Sequence, residues 1–191
     1  MEPDLVKLLF IVDVQNDFVT GSLAVPDAQA AVHVIEDLIY SGEYTHIWAS
    51  KDYHPPTHFS FSDDPQYVDG SWPPHCVKGT KGALFASDEI TKAVQKTFYK
   101  GEAPDVEAYS AFDGHDYQWR TLRESLEQVA AEVHEFHVVG LALDYCVKAT
   151  AMDACRFWFP PTVLVEATRP VSYASGVKAV AEMALQGVVF E

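Results

Sequence analysis

The feature that most constrains this chain is a five-residue apolar run, Leu8-Leu9-Phe10-Ile11-Val12, that stops abruptly at Asp13. A strand with one wet face alternates apolar and polar residues. An unbroken run this short reads instead as a strand buried on both faces, the middle of a parallel sheet. Residues 45–50, 136–139, 162–165 and 188–190 read as further strands, and 97–99 as a brief one. Helical patterns lie between them. Pro26-Asp27 marks a start, with Val32, Ile35, Leu38 and Ile39 recurring until Gly42. Trp119, Leu122, Leu126, Val129 and Val133 mark a second helix, and residues 144–157 a third. Ser172 caps a fourth that runs to about Gln186 and stops at Gly187. Gly140 closes the strand before it. This alternation predicts an α/β fold, a doubly wound, mainly parallel sheet with helices on both faces.

At 191 residues, the expectation is a single domain over 1–191, with one excursion at about 51–96 rich in Pro, His, Asp and aromatics. A loop that long inside a compact domain is usually functional. With 28 acidic against 13 basic side chains the formal charge is −15, the wrong sign for nucleic acid or an anionic membrane. The expected partner is a small molecule, neutral or cationic, and a monomer and a homo-oligomer both remain open. Three cysteines, Cys76, Cys146 and Cys155, make no disulfide framework. Met1-Glu2-Pro3-Asp4 is acidic where a signal peptide would be basic, and no apolar run could span a bilayer. A cytoplasmic location is expected.

Ligands of open parallel sheets bind beyond the carboxyl ends of the strands, where Asp13 stands. Taken alone, it reads more readily as a capping aspartate that starts a turn. Asp52-Tyr53-His54 follows the second strand, and on an extended backbone residues 52 and 54 point the same way, a chelating pair for a divalent metal. His58 and His75 add two further loop histidines. Mixed N and O donors suit zinc, iron or manganese alike. Cys146 lies where a strand hands over to a helix, a position that favours thiolate and offers backbone N–H groups to an oxyanion. The bland reading is a small buried hydrophobe, the reading taken for Cys155. Cys76, beside His75, stays open. Lys100 ends the brief third strand and is either solvated or a partner for acid and thiol.

Five fragments occur in order: Asp13-Val14-Gln15-Asn16-Asp17-Phe18, Asp52-Tyr53-His54, Trp72-Pro73-Pro74-His75-Cys76-Val77, Phe98-Tyr99-Lys100-Gly101 and Asp144-Tyr145-Cys146-Val147. Together they resemble the nicotinamidase (pyrazinamidase) branch of the isochorismatase-like cysteine hydrolases, from Leu8 to about Ala167. The resemblance implies hydrolysis of nicotinamide to nicotinate and ammonia through a cysteine thioester, turnover of pyrazinamide, and a place in NAD salvage. It implies Asp13, Lys100 and Cys146 as catalytic triad, with Ala142 and Cys146 forming the oxyanion hole beside a cis peptide at Leu141-Ala142. It implies Asp52, His54 and His75 as ligands of one divalent metal ion, zinc foremost and iron or manganese next. His58 resembles a fourth ligand, but only three residues separate it from His54, fewer than in that pattern. Phe18, Trp72 and Tyr109 match pocket aromatics, and Tyr145 stands where close relatives often carry histidine. The alternatives are an amidohydrolase of the same fold acting on a carbamoyl or ureido compound, and a non-catalytic metal-binding module.

Overall fold

The computed structural model describes residues 6–67 and 70–191, so the acidic Met1–Asp4 stretch lies outside it. Six strands form one sheet in the order β3-β2-β1-β4-β5-β6, every neighbouring pair parallel. They are β1 (Val6–Val12), β2 (His46–Asp52), β3 (Lys96–Lys100), β4 (Val133–Leu141), β5 (Thr162–Arg169) and β6 (Val189–Phe190). The apolar run in β1 is central and fully buried, and its side chains divide by alternation. Leu8, Phe10 and Val12 join one core with helices α4 (Leu122–Val129), α5 (Lys148–Arg156) and α6 (Tyr173–Leu185). Leu9 and Ile11 join the other with α1 (Asn16–Val19), α2 (Ala28–Tyr40) and α3 (Asp88–Ala93). Each such side chain contributes roughly 1.5–3 kcal/mol by leaving water. Helices therefore cover both faces, as the sequence predicts, and none among the described residues is long and apolar enough to cross a membrane.

Several elements differ from their sequence reading. The helix expected from Trp119 to Val133 is only α4, because Thr121 and Glu124 form a reciprocal capping box that starts it there. Trp119 lies exposed before it, and Val133 already begins β4. Gly140 does not close its strand but sits inside it, at φ +113°, and a Cβ there would lie 2.1 Å from the Val12 carbonyl oxygen. Glycine is what lets β4 lie this close to β1 at the sheet's carboxyl end. The helix expected over 144–157 is a π-helical turn, Leu143–Val147, running into α5. Asp27 precedes α2 without capping it, its carboxylate pairing instead with Arg169. The excursion contains α3, capped by Ser87 through the amides of Glu89 and Ile90. Ser172 caps α6 as expected, and Gly187 follows at φ +93°.

Candidate active site

The chain reverses its winding direction between β1 and β4, and the crevice beyond their carboxyl ends is where such sheets bind ligands. Asp13 follows β1 directly, its backbone in the left-handed region at φ +47° and its carboxylate fully buried. Lys100 ends β3 in register with Asp52 at the end of β2. Its ammonium contacts Asp13 Oδ2 at 2.9 Å, Asp52 Oδ1, the Ala108 carbonyl at 3.0 Å and Cys146 Sγ at 3.5 Å. Ser50 donates to Asp13 Oδ1 at 2.7 Å, while Oδ2 meets Lys100 as an ion pair without a directed hydrogen bond. Oxygen and sulfur atoms of Asp13, Asp52 and Cys146 lie within 4.8 Å of one another. The structure thus brings together Asp13, Lys100 and Cys146, which the sequence singled out at or beyond the ends of separate strands.

Burial drives the proton affinities here. It pushes the Cys146 thiol well up, Asp13 and Asp52 adding to the effect against Lys100. It also raises Asp13 over the opposing pull of Lys100, which makes Asp13 a stronger base than a solvated aspartate. Burial would discharge Lys100, but Asp13 and Asp52 hold its ammonium well above the ordinary lysine value. Asp52 is held well below the carboxylate range, since Lys100 and His54 outweigh its own burial.

Asp52 turns its other oxygen, Oδ2, toward His54 Nε2 at 3.7 Å and His75 Nε2 at 3.9 Å. Both rings are oriented by backbone, with His54 Nδ1 at 2.9 Å from the Gly101 carbonyl and His75 Nδ1 at 2.8 Å from that of Pro73. A carbonyl only accepts, so Nδ1 carries the hydrogen in each ring and Nε2 offers a lone pair inward. Burial would lower the proton affinity of His54, but the Asp52 charge raises it, and that charge would draw a metal cation as well. His75 is pushed down to about 4, chiefly by burial, and so stays neutral as a ligand must. One carboxylate and two imidazoles, all three side chains buried, fit a divalent metal. His58 is buried beside them, its ring centroid 4.3 Å from that of His54, with burial and then His54 lowering its proton affinity. Its ring nitrogens face the Ser60 hydroxyl at 2.8 Å and the Val106 carbonyl at 3.1 Å.

A narrow cleft opens onto Cys146, with about 430 Å³ of space including its mouth. Phe18, Trp72, Tyr109, Tyr145 and Ala142, all singled out from the sequence, line it together with Asp52 and His75. Trp72 donates its indole N–H to the Tyr109 hydroxyl at 3.2 Å and meets Tyr145 edge-on. The Leu141–Ala142 peptide is cis, as the resemblance implies. Chain similarity speaks to the same architecture, for the isochorismatase domain matches residues 7–190. The chain belongs to the isochorismatase family. A nicotinamidase/pyrazinamidase of Mycobacterium tuberculosis is 44% identical over 179 residues, 93% of this chain and 94% of the relative. A pyrazinamidase of Pyrococcus horikoshii crystallised with zinc superposes with a TM-score of 0.82 at 32% identity, covering 99% of each chain. A protein of L. infantum crystallised with nicotinate gives 0.84 at 30%, covering 98% of this chain and 93% of that one.

Other residues of this site carried no sequence reading of their own. Ser50 was detectable, since it lies two residues before Asp52 on β2 and so shares its face. Gln15 donates to the carbonyls of Asp52 at 2.8 Å and Ala83 at 3.1 Å and accepts from the Asp52 amide at 2.9 Å, extending the ladder past the end of β1. Leu23, Val25, Val171 and Glu107 complete the cleft from three separate loops, and no local pattern marks them. Cys76 is fully buried, its thiol pushed well up by burial, and Cys155 is half-buried on α5.

Proposed function

We infer that this chain hydrolyses nicotinamide to nicotinate and ammonia, and accepts pyrazinamide by the same route. The observation that carries the chemistry is the single ammonium of Lys100 in contact with Asp13, Asp52 and Cys146 at the floor of an aromatic cleft. Asp13 takes the Cys146 proton at Oδ2, the oxygen that lacks a directed hydrogen bond. Lys100 balances the charges on carboxylate and thiolate as the proton moves. The thiolate attacks the carboxamide carbon, far more nucleophilic than the thiol. Backbone N–H groups of Ala142 and Cys146 hold the oxyanion, each contributing on the order of 3 kcal/mol. Asp13 returns its proton to the leaving ammonia, and water then cleaves the thioester to nicotinate. Phe18 and Trp72 hold the pyridine ring, with Tyr109 and Tyr145 at its margin.

Asp52, His54 and His75 would hold the metal, zinc first, with iron and manganese the alternatives. When bound, it supplies a Lewis-acid site that orients the ring through its nitrogen. We read residues 1–191 as one domain acting in the cytoplasm. The test is ammonia release from nicotinamide by wild type, by Cys146→Ala and by an EDTA-treated sample. Turnover by wild type, none by Cys146→Ala, and EDTA loss reversed by added zinc are expected. No ammonia from zinc-loaded wild type overturns the reading in favour of a carbamoyl substrate.

A further inference from the structure

His58 is the one histidine of the excursion whose hydrogen bonds differ in kind from those of its neighbours. In His54 and His75 only Nδ1 is spent, on a backbone carbonyl. In His58 both nitrogens are spent. The Val106 carbonyl, 3.1 Å from Nε2, can only accept, so Nε2 donates. Nδ1 then accepts from the Ser60 hydroxyl at 2.8 Å if the ring is neutral, or donates to it if the ring is charged. Neither state leaves a lone pair for a metal. The ligand atoms that gather within 4.8 Å of one another belong to Asp52, His54 and His75.

What His58 grips is the loop that follows β3. The neighbouring Phe59 amide donates to the Pro104 carbonyl at 2.8 Å, so residues 58–59 hold this loop at two points. The same loop presents the Ala108 carbonyl to Lys100 at 3.0 Å and sends Glu107 and Tyr109 into the cleft. Tyr109 in turn accepts the Trp72 indole hydrogen. A bond at Val106 is thus three residues from a cleft wall and two from a carbonyl on the catalytic cluster.

We propose that His58 is a positioning residue rather than a ligand, fastening the 104–109 loop that shapes the substrate cleft. Only the zinc arm of its test rests on the metal reading above. Glutamine is the informative replacement, since its amide N–H can donate to Val106 while its oxygen accepts from Ser60.

The experiment measures zinc affinity by competition with a chromogenic chelator, and kcat and KM on nicotinamide for the zinc-loaded proteins. The set is wild type, His54→Ala, His58→Ala and His58→Gln. Zinc should bind His54→Ala about a hundredfold more weakly or worse, since loss of a ligand should exceed the ~10–100-fold that loss of a ligand's supporting partner costs. Both His58 variants should bind zinc within about threefold of wild type, because the His58 ring nitrogens are spent on Ser60 and Val106 and support no ligand. KM should rise about tenfold in His58→Ala, a loss of ~1.4 kcal/mol in cleft shape, and His58→Gln should recover most of it. A His58→Gln protein with normal KM and zinc affinity weakened tenfold or more would make His58 a ligand and overturn the proposal. An unchanged KM in His58→Ala would overturn the positioning role. If wild type takes up no zinc while the KM pattern holds, the metal reading fails and the positioning role stands.

Discussion

The two halves of the site are held by different means. Asp13, Lys100 and Cys146 stand at or just beyond the ends of β1, β3 and β4, and Lys100 faces Asp52 through the pairing of β2 with β3. Their separation is set by strand spacing and register, which the whole core enforces. His54 and His75 instead stand on the excursion, and each ring is aimed by one hydrogen bond from Nδ1 to a backbone carbonyl. A bond of that kind contributes about 1 kcal/mol. The catalytic cluster therefore shares the stability of the sheet, while the metal end depends on local geometry and should yield to smaller changes.

Lys100→Met gives the largest expected effect. It should lower kcat by about 10⁴-fold, the scale seen when one member of a cooperating catalytic set is removed. It should also cost about 3–5 kcal/mol in urea unfolding, because Asp13 and Asp52 are left buried without their shared cation. Zinc affinity should hold or rise, since a competing cation has gone. A loss of zinc binding as large as the loss of kcat would mean the two halves are not separable. His54→Ala should do the reverse, weakening zinc binding about a hundredfold or more while iodoacetamide still labels Cys146 ahead of Cys155.

Gly101→Ala probes how local the metal end is. Gly101 has φ +67°, and a Cβ there would lie 2.4 Å from the His54 ring. Strain at such a position costs about 1–2 kcal/mol, and most of it should appear as zinc affinity weakened about tenfold, with kcat of the saturated enzyme nearly kept. The smallest effect is expected outside both halves, at Asp116→Asn. Burial would raise the Asp116 carboxyl, but the amides of Arg120 and Gln118 and the Arg120 guanidinium hold it below its ordinary value. A depressed carboxyl stabilises the fold above its unfolded value and ceases to as pH falls through its folded one. The variant should thus be about 1–2 kcal/mol less stable at neutral pH, with the gap closing in acid and zinc affinity unmoved.

Legibility in the sequence followed how local each cause was. The β1 run and the Ser172 cap are written in adjacent residues and are found where expected. Trp119 and Val133 continued a helical spacing by accident, and the capping box from Thr121 to Glu124 was the better signal for where α4 begins. Gly140 read as a stop because its reason, the Val12 carbonyl 2.1 Å from where its Cβ would be, lies on another strand. Asp13, Lys100 and Cys146 stood out by their places at or near strand ends, but position left each of them open, and it was the run of five motifs in order that gave them a role. Gln15 was only one polar residue in a row until the fold laid it along Asp52. Leu23, Val25, Val171 and Glu107 reach the cleft through the paths of separate loops, which no spacing encodes.

Asp52 gives one oxygen to Lys100 and the other to the histidines. At this one carboxylate the two chemistries cannot be parted by a single substitution. An engineer who discarded the metal by way of Asp52 would have to find Lys100 another counter-ion in the same place, whereas His54 and His75 can be changed without touching it. Asp52→Asn should accordingly read as a double lesion in any mutational survey, and the histidine variants as single ones.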